Sequence, residues 1–499
     1  MTDARRPALV AAVYLGTFIA ALDVSIVSVA LPSIQTALHT DIAGLQWVVG
    51  AYALCLSAFM LSAGPIGDRY GRKRSWLLGV AVFMVGSAIC AAAATLTVLI
   101  AGCAIQGIAG AFLIPGALSI LRQAFPDPVQ RAHVIGGWSS FSAISLIVGP
   151  ILGGILVDTA GWPSIFLINL PIGVVTIGLG LWGIRETAHP DHAAFDPAGQ
   201  ALSVLWLGTL TYGLISAGQH GWTARGTVVA LAASVAAFVA FMLIEARVRR
   251  PLLPLMLFGN ARFAVTNLAS FVLGFSGYSS LFFFSLFLQQ AQGWSATEAG
   301  WRMAPQFAAM ALVASGFGWL AARYDVRILM IAGYGMVGGA MLVMSLFVPA
   351  TPYPVIAMLF TALGIGMGLA VPATSAAVMM AVPRERSGMA SATMNALRQA
   401  GMTLGIALLG TLMSARAMTL LTTGLEAAGV ADAGAMAVTA VTRHQVPVGS
   451  GVDVTAFNAM LGQAFAGGFH VAMAYAGLLG LTAAALLVAV RSPNAPTQR

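Results

Sequence analysis

Long apolar stretches recur along this chain, and short polar or charged breaks separate them. An apolar run of about 18 or more residues is long enough for a helix to cross a bilayer. Helices and closed barrels are the structures that satisfy their own backbone hydrogen bonds there. The pattern predicts fourteen spanning helices, at about 8–30, 45–63, 75–94, 98–121, 133–157, 164–184, 198–217, 226–245, 263–288, 300–321, 328–348, 354–381, 388–414 and 466–489. The fold class expected is an all-α polytopic membrane protein. Most predicted connections are short. The exception is 415–465, expected outside the membrane as a small ordered cap or a flexible loop.

Charge placement tests the count. With the N-terminus in the cytoplasm, Arg225, Arg302, Arg416 and Arg443 fall outside and Arg398 falls within a span. The other nineteen of the 24 lysines and arginines fall on cytoplasmic segments. That bias is the positive-inside pattern. A miscounted helix would invert every later loop. The net charge of +8 therefore reports topology rather than a nucleic-acid partner.

Composition agrees. The chain is 59% hydrophobic and 8% charged, where a soluble protein carries roughly 25% charge. The first run holds Asp23 and continues past signal-peptide length, so it reads as a retained helix. Cys55, Cys90 and Cys103 fall inside apolar runs without metal-ligand spacing, as buried small apolar residues would. Lys73 stands alone as a lysine among arginines in an Ala- and Gly-rich chain. That composition suggests a GC-rich bacterial genome, and hence the bacterial cytoplasmic (inner) membrane, with both termini cytoplasmic.

One connection concentrates charge. Residues 64–74 read Gly-Pro-Ile-Gly-Asp-Arg-Tyr-Gly-Arg-Lys-Arg between two apolar runs. Glycines permit a tight turn. One carboxylate among four cations can bridge helix ends and remake its contacts when helices move. Gly64, Asp68, Arg69, Gly71, Arg72 and Lys73 fit a pattern G-x-x-x-D-R/K-x-G-R/K-R/K. This resembles the loop between helices 2 and 3 of major facilitator superfamily transporters. A worn copy follows the tenth helix, at Gly318, Ala322, Arg323, Asp325 and Arg327. The repeat predicts two equivalent six-helix bundles, 1–190 and 256–499, with two inserted helices at 191–255. Repeated halves with a site between them are a transporter design.

Asp23 is the acid deepest in a span. An isolated charge there costs about 2.5–3.5 kcal/mol on insertion scales, which invites a functional reading. A carboxyl in low dielectric can exchange a proton near neutral pH. The alternative is a permanent hydrogen-bonded structural role. Leu22-Asp23-Val24-Ser25-Ile26-Val27-Ser28-Val29-Ala30-Leu31-Pro32 resembles the helix 1 signature of the fourteen-helix drug:proton antiporter family. Helix 4, Leu99 to Gly107, looks like that family's L-I-x-x-R-x-x-Q-G. Gln106 is kept, but Cys103 stands where the family has an arginine implicated in proton handling. Helix 5 carries Gly136, Ser145, Gly149, Pro150, Gly153 and Gly154, similar to the antiporter motif with Ser145 replacing one glycine. Small residues allow close helix approach. In the resembling family this motif separates exporters from importers.

Helix 13 resembles N-x-x-R-Q-x-G-x-x-x-G through Asn395, Arg398, Gln399, Gly401 and Gly405. Arg398 lies about 15 Å into the membrane at helical rise. It could brace carbonyls or take over charge lost at Cys103. Trp162, Phe166, Asn169, Pro171 and Gly173 are further family-like pieces. Tyr278, Phe282, Phe283, Phe284 and Phe287 could line an apolar cavity or face core or lipid. His470 reads as interfacial.

No G-x-x-x-x-G-K-S/T phosphate loop, H-E-x-x-H or Cys/His cluster is present. ATP-driven, metal-dependent and hydrolytic chemistry are therefore not expected. The resemblance implies a major facilitator fold, no cofactor beyond the proton gradient, and a monomer in the lipid bilayer. The implied activity is export of a small lipophilic drug or antibiotic, monovalent cations included, against protons. Alternatives are a dedicated exporter of one endogenous metabolite or antibiotic, and a non-transporting membrane sensor.

Overall fold

The computed structural model describes residues 5–188, 196–248, 251–253, 255–383, 386–443 and 453–489. Fourteen helices there are long and apolar enough to span a membrane. They are α1 (Arg5–Ala37), α2 (Ile42–Tyr70), α3 (Arg72–Ala91), α4 (Leu96–Ala124), α5 (Pro128–Ala160), α6 (Ser164–Gly183, stepped at Ile168), α7 (Pro197–His220) and α8 (Arg225–Glu245). After a 3-10 turn at Leu255–Gly259 come α9 (Ala261–Ala291), α10 (Ala296–Arg323), α11 (Val326–Met344), α12 (Tyr353–Met380), α13 (Ser387–Ala427) and α14 (Val454–Ala489). Among the described residues there is no strand. Polar residues start the helices: Asp41, Thr95, Asp127, Asp196, Asn260 and Asp325 each accept a hydrogen bond from the first turn. Ser295 and Glu298 form a reciprocal capping box on α10. Many large apolar side chains on the helices' outer faces are exposed, Val174, Val235 and Leu312 among them, as a lipid-facing surface requires.

Packing repeats. In the first half α1 packs on α5 and α6, α2 on α4, and α3 on α4 and α6. In the second, α9 packs on α13 and α14, α10 on α12, and α11 on α12 and α14. The two charged loops act alike at aligned positions. Lys73 Nζ donates to Leu181 O at the end of α6 (2.7 Å). The Arg327 guanidinium donates to Leu487 O and Val488 O at the end of α14 (2.8–3.1 Å). Both put a cation on a helix C-terminus, where the macrodipole favours it. The inserted pair α7–α8 lies on the seam between α2 and α13, where Leu207 packs with Leu54, Ala58 and Ala400.

The 415–465 segment, expected as a small ordered cap or a flexible loop, is mostly helix among its described residues. α13 continues to Ala427, a short helix spans Ala433–Arg443, and α14 begins at Val454. The cause is burial: Ala417, Leu421, Leu425, Ala437, Ala440, Val441 and Phe457 are all nearly fully enclosed. Within 415–465, residues 444–452 lie outside the described residues, as do Arg249, Arg250, Arg384, Arg491 and Arg499 of the charge count and the 190/191 bundle boundary.

The halves meet through α2 with α13, α5 with α10 and α1 with α9. Gln290 donates to Gln35 Oε1 (2.6 Å) and Gln289 to Val29 O (3.0 Å). Asp158 of α5 accepts from Thr297 N at the start of α10 (2.8 Å). Gln46 donates to Ile406 O and Ala407 O (2.8 and 2.9 Å). These bonds gather at the end of the bundle where α1 and α5 finish and α2 and α10 begin.

Candidate functional site

Asp23 is 3% exposed, deep in α1. Gln106 Nε2 of α4 donates to its Oδ1 at 3.0 Å, and Asn169 Nδ2 of α6 donates to the same oxygen at 3.3 Å. Both amides also donate to Ser87 Oγ of α3 (2.9 and 3.2 Å). Four helices thus converge on one carboxyl group. Two neutral donors stabilise the ionised acid without a salt bridge. Asn169 Oδ1 is buried and has no partner. Reversing that amide would place an acceptor where a protonated Asp23 could donate. The pocket therefore has hydrogen bonds for either protonation state.

Cys103, at the position of the family's helix 4 arginine, is buried and 3.8 Å from Cys90 Sγ. All three cysteines are free. Cys90 also approaches Gln106 Oε1 (3.6 Å). The thiols fill space beside Gln106 and supply no cation. Arg398 stands apart from them, in the second bundle. Its guanidinium bonds Asn395 Oδ1 on its own helix and lies 5.3 Å over the Tyr278 ring. Among the described residues no hydrogen bond or ion pair joins it to Asp23. Gly401 and Gly405 press α13 onto the α9 backbone at Phe271 O and Phe275 O.

The helix 5 motif divides by face. Gly149 and Gly153 sit against Ser25 and Ile26 of α1, next to Asp23. Gly154 faces Ala296 and Thr297 of α10, and Gly300 of α10 faces Pro150 O. A side chain at any of these glycines would collide with backbone or with a buried side chain. Gly136 is exposed with open space around it, and Ser145 is buried and donates to Phe141 O. So α5 links the Asp23 helix directly to the opposite half.

In the charged loop, Arg72 Nε donates to Asp68 Oδ1 at 2.7 Å across the α2–α3 break. Gly71 makes the break with φ +106°, a conformation that favours glycine. Glu186, beyond α6, accepts from the backbone N–H groups of Lys73 and Arg74 at 3.0 Å. It is an anion on the N-terminus of α3. Sequence reasoning missed it, because nothing in the motif points to an acid so far along the chain. Arg69 is exposed above Tyr70, and Gly64 is exposed with nothing near. Ser87 and Tyr52, whose hydroxyl donates to Ala20 O (3.1 Å), were also missed as neighbours of the Asp23 site.

The phenylalanines of α9 are core. Phe282, Phe283, Phe284 and Phe287 are at most 2% exposed. Phe284 packs tilted on Phe360 with ring centroids 4.6 Å apart, and Phe287 lies 4.7 Å from Phe469. His470 is exposed on α14.

Known proteins share this pattern. The chain is 35% identical over 402 residues to the methylenomycin A resistance protein of Bacillus subtilis (strain 168), covering 80% of this chain and 86% of that one. It is 31% identical over 497 residues to the tetracenomycin C resistance and export protein of Streptomyces glaucescens, covering 98% and 92%. The fold matches a crystal structure of a bacterial homologue of the human lysosomal transporter Spinster, in an inward-facing and unoccupied conformation. That match has a TM-score of 0.65 and 19% identity, over 99% of this chain and 100% of that one. The sequence pattern described as Major Facilitator Superfamily matches residues 13–265 and 266–490. With that match across both halves, the fourteen spans and the relatives above, this chain belongs to the Major Facilitator Superfamily, whose members are transporters and not enzymes.

Proposed function

We propose that this protein exports small lipophilic compounds, drugs or antibiotics among them, across the bacterial cytoplasmic membrane in exchange for protons, with Asp23 as the proton-binding carboxyl. The observation that carries the reading is the buried Asp23 held by Gln106 and Asn169. The names of the relatives support export of toxic compounds. Substrate binds from the cytoplasm or inner leaflet while Asp23 is ionised. The halves rock, a proton from outside neutralises Asp23, and substrate leaves. Gly149 and Gly153 carry the change from α1 into α5, and Gly154 and Pro150 carry it across to α10. One proton supplies about 1.4 kcal/mol per pH unit and about 2.3 kcal/mol per 100 mV.

The reading places both termini in the cytoplasm, on the strength of the basic-residue bias. The hydrogen-bonded end of the bundle is then outside. The reading takes the protein as a monomer in the bilayer. With one deep carboxyl in the bundles, monovalent or neutral compounds are preferred over dications.

The test is efflux from loaded, energised cells, comparing wild type with Asp23→Asn. The amide of that variant keeps an acceptor for Gln106 and Asn169, so the fold survives. Efflux that stops with a protonophore and in Asp23→Asn supports the reading. Protonophore-sensitive efflux that survives Asp23→Asn moves the proton site elsewhere. No efflux of any compound by folded wild type refutes transport.

A second reading is export of a single antibiotic or metabolite. Two relatives named for one antibiotic each favour it. A panel of unrelated compounds separates the two: one transported class supports the narrow exporter.

A further inference from the structure

The inserted helices carry a second carboxyl site that the transport reading does not use. Asp196 precedes α7 and Glu245 ends α8; they are 7% and 2% exposed. Asp196 Oδ1 caps α7, accepting from Ala198 N (3.1 Å) and Gly199 N (2.9 Å). Glu245 Oε2 accepts from Leu253 N at 3.0 Å, in the connector that leads to α9. The remaining oxygens, Asp196 Oδ2 and Glu245 Oε1, are buried without a hydrogen-bond partner. Both aim at the gap left by Gly199. A methyl group there would stand 2.7 Å from Asp196 Oδ2 and 2.5 Å from Glu245 Oε1, so the two oxygens are at most about 5 Å apart.

Two buried carboxylates this close cannot both remain ionised and unpaired, because like charges and lost hydration add. Among the described residues no cation bonds either of them. Among the described residues, Asp196 is the charged group that faces Glu245 from the packed elements, and the connector gives it the backbone N–H groups of Leu252 and Leu253. The helix ends assign the roles. An ionised acid is favoured at the start of α7, and disfavoured at the end of α8, where carbonyls present negative charge.

We propose that Asp196 and Glu245 form a proton-binding site, in which Glu245 holds one proton and donates it to Asp196 Oδ2. The shared proton ties the start of α7, the end of α8 and the 251–253 connector together. The tie reaches the charged loop. One turn into α7, Gln200 donates to Ala58 O of α2 (3.1 Å) and accepts from Ser62, two turns before Asp68. Loss of the proton leaves two facing carboxylates that repel, and the brace between the inserted pair and the second bundle loosens.

The test uses the full-length protein in lipid nanodiscs, with infrared spectroscopy and thermal unfolding across mildly acidic to mildly alkaline pH. The folded pair binds a proton that the unfolded chain releases at neutral pH, so its stabilisation is lost as pH rises. Wild type is expected to show, beside any band from Asp23, a protonated-carboxyl band that alkaline pH and Glu245→Gln each remove. Its melting temperature falls with pH over the same range. In Glu245→Gln a permanent amide N–H faces Asp196, so the variant keeps only the fall that Asp23 contributes and melts above wild type at alkaline pH.

Identical pH profiles for the two proteins overturn the proposal. So does a Glu245→Gln protein that fails to fold, because its amide replaces the proposed donor. Stabilisation of wild type, but not Glu245→Gln, by Mg2+, Ca2+ or Na+ at fixed pH shows that a metal cation holds the pair and also overturns it.

Discussion

Gly71→Ala measures how much of the charged loop is backbone geometry. Gly71 ends α2 and starts α3 at φ +106° and ψ 128°. A side chain in such a region costs about 1–3 kcal/mol. The added methyl would also stand 2.7 Å from the Glu186 carboxyl carbon. Glu186 would have to withdraw and release the N–H groups of Lys73 and Arg74. Those two bonds are worth about 0.5–1.5 kcal/mol each when buried. The Glu186 side chain is 35% exposed, so solvent reduces the loss to about 1 kcal/mol in all. The expected destabilisation is about 2–4 kcal/mol. Gly64→Ala is the control. Gly64 lies inside α2 with open space around it, so alanine there should stabilise by about 0.5–1 kcal/mol through helix propensity. Equilibrium unfolding in mixed micelles gives both values. A Gly71→Ala protein within about 0.5 kcal/mol of wild type would refute the claim that the loop needs a left-handed break, since the positive-φ cost alone exceeds that.

Two further outcomes follow from packing. Gly154→Val puts a branched side chain against Ala296 and Thr297 of the opposite half; it should open this end of the bundle and abolish efflux while leaving the protein folded. Labelling of a cysteine introduced at Thr297 checks it, with faster labelling expected than in a Gly154 background. Phe284→Ala removes a ring that is 1% exposed and packed on Phe360. It should cost about 3–5 kcal/mol of stability and leave the order of preferred substrates unchanged, read from thermal unfolding and a substrate panel. A changed order would return these phenylalanines to the substrate path.

Much of the candidate site was legible because membrane chemistry leaves few options. A carboxyl at Asp23, an arginine at Arg398 and a knot of charge at 64–74 stand out against apolar sequence, where each is costly. What they touch was not legible. Asp23 and Gln106 meet across 83 positions, while Arg398 stays in the other bundle beside Asn395. Gly64 and Gly71 occupy the same motif, but only Gly71 carries a conformation that demands glycine. The apolar run that holds Phe282, Phe283, Phe284 and Phe287 reads the same for a core, a lipid face and a cavity wall.

The sequence by itself determined the class of the protein. Backbone groups must bond internally in lipid, so run length sets the number and place of the spans. Loop charge carries the expected orientation. The tertiary structure decided what depends on distance: the partners of Asp23, the acid pair at Asp196 and Glu245, the role of Glu186, and the helical continuation of 415–427. Each is a contact between residues far apart along the chain or a burial that a neighbouring helix supplies. Helix period and hydropathy hold no information about which neighbour that will be.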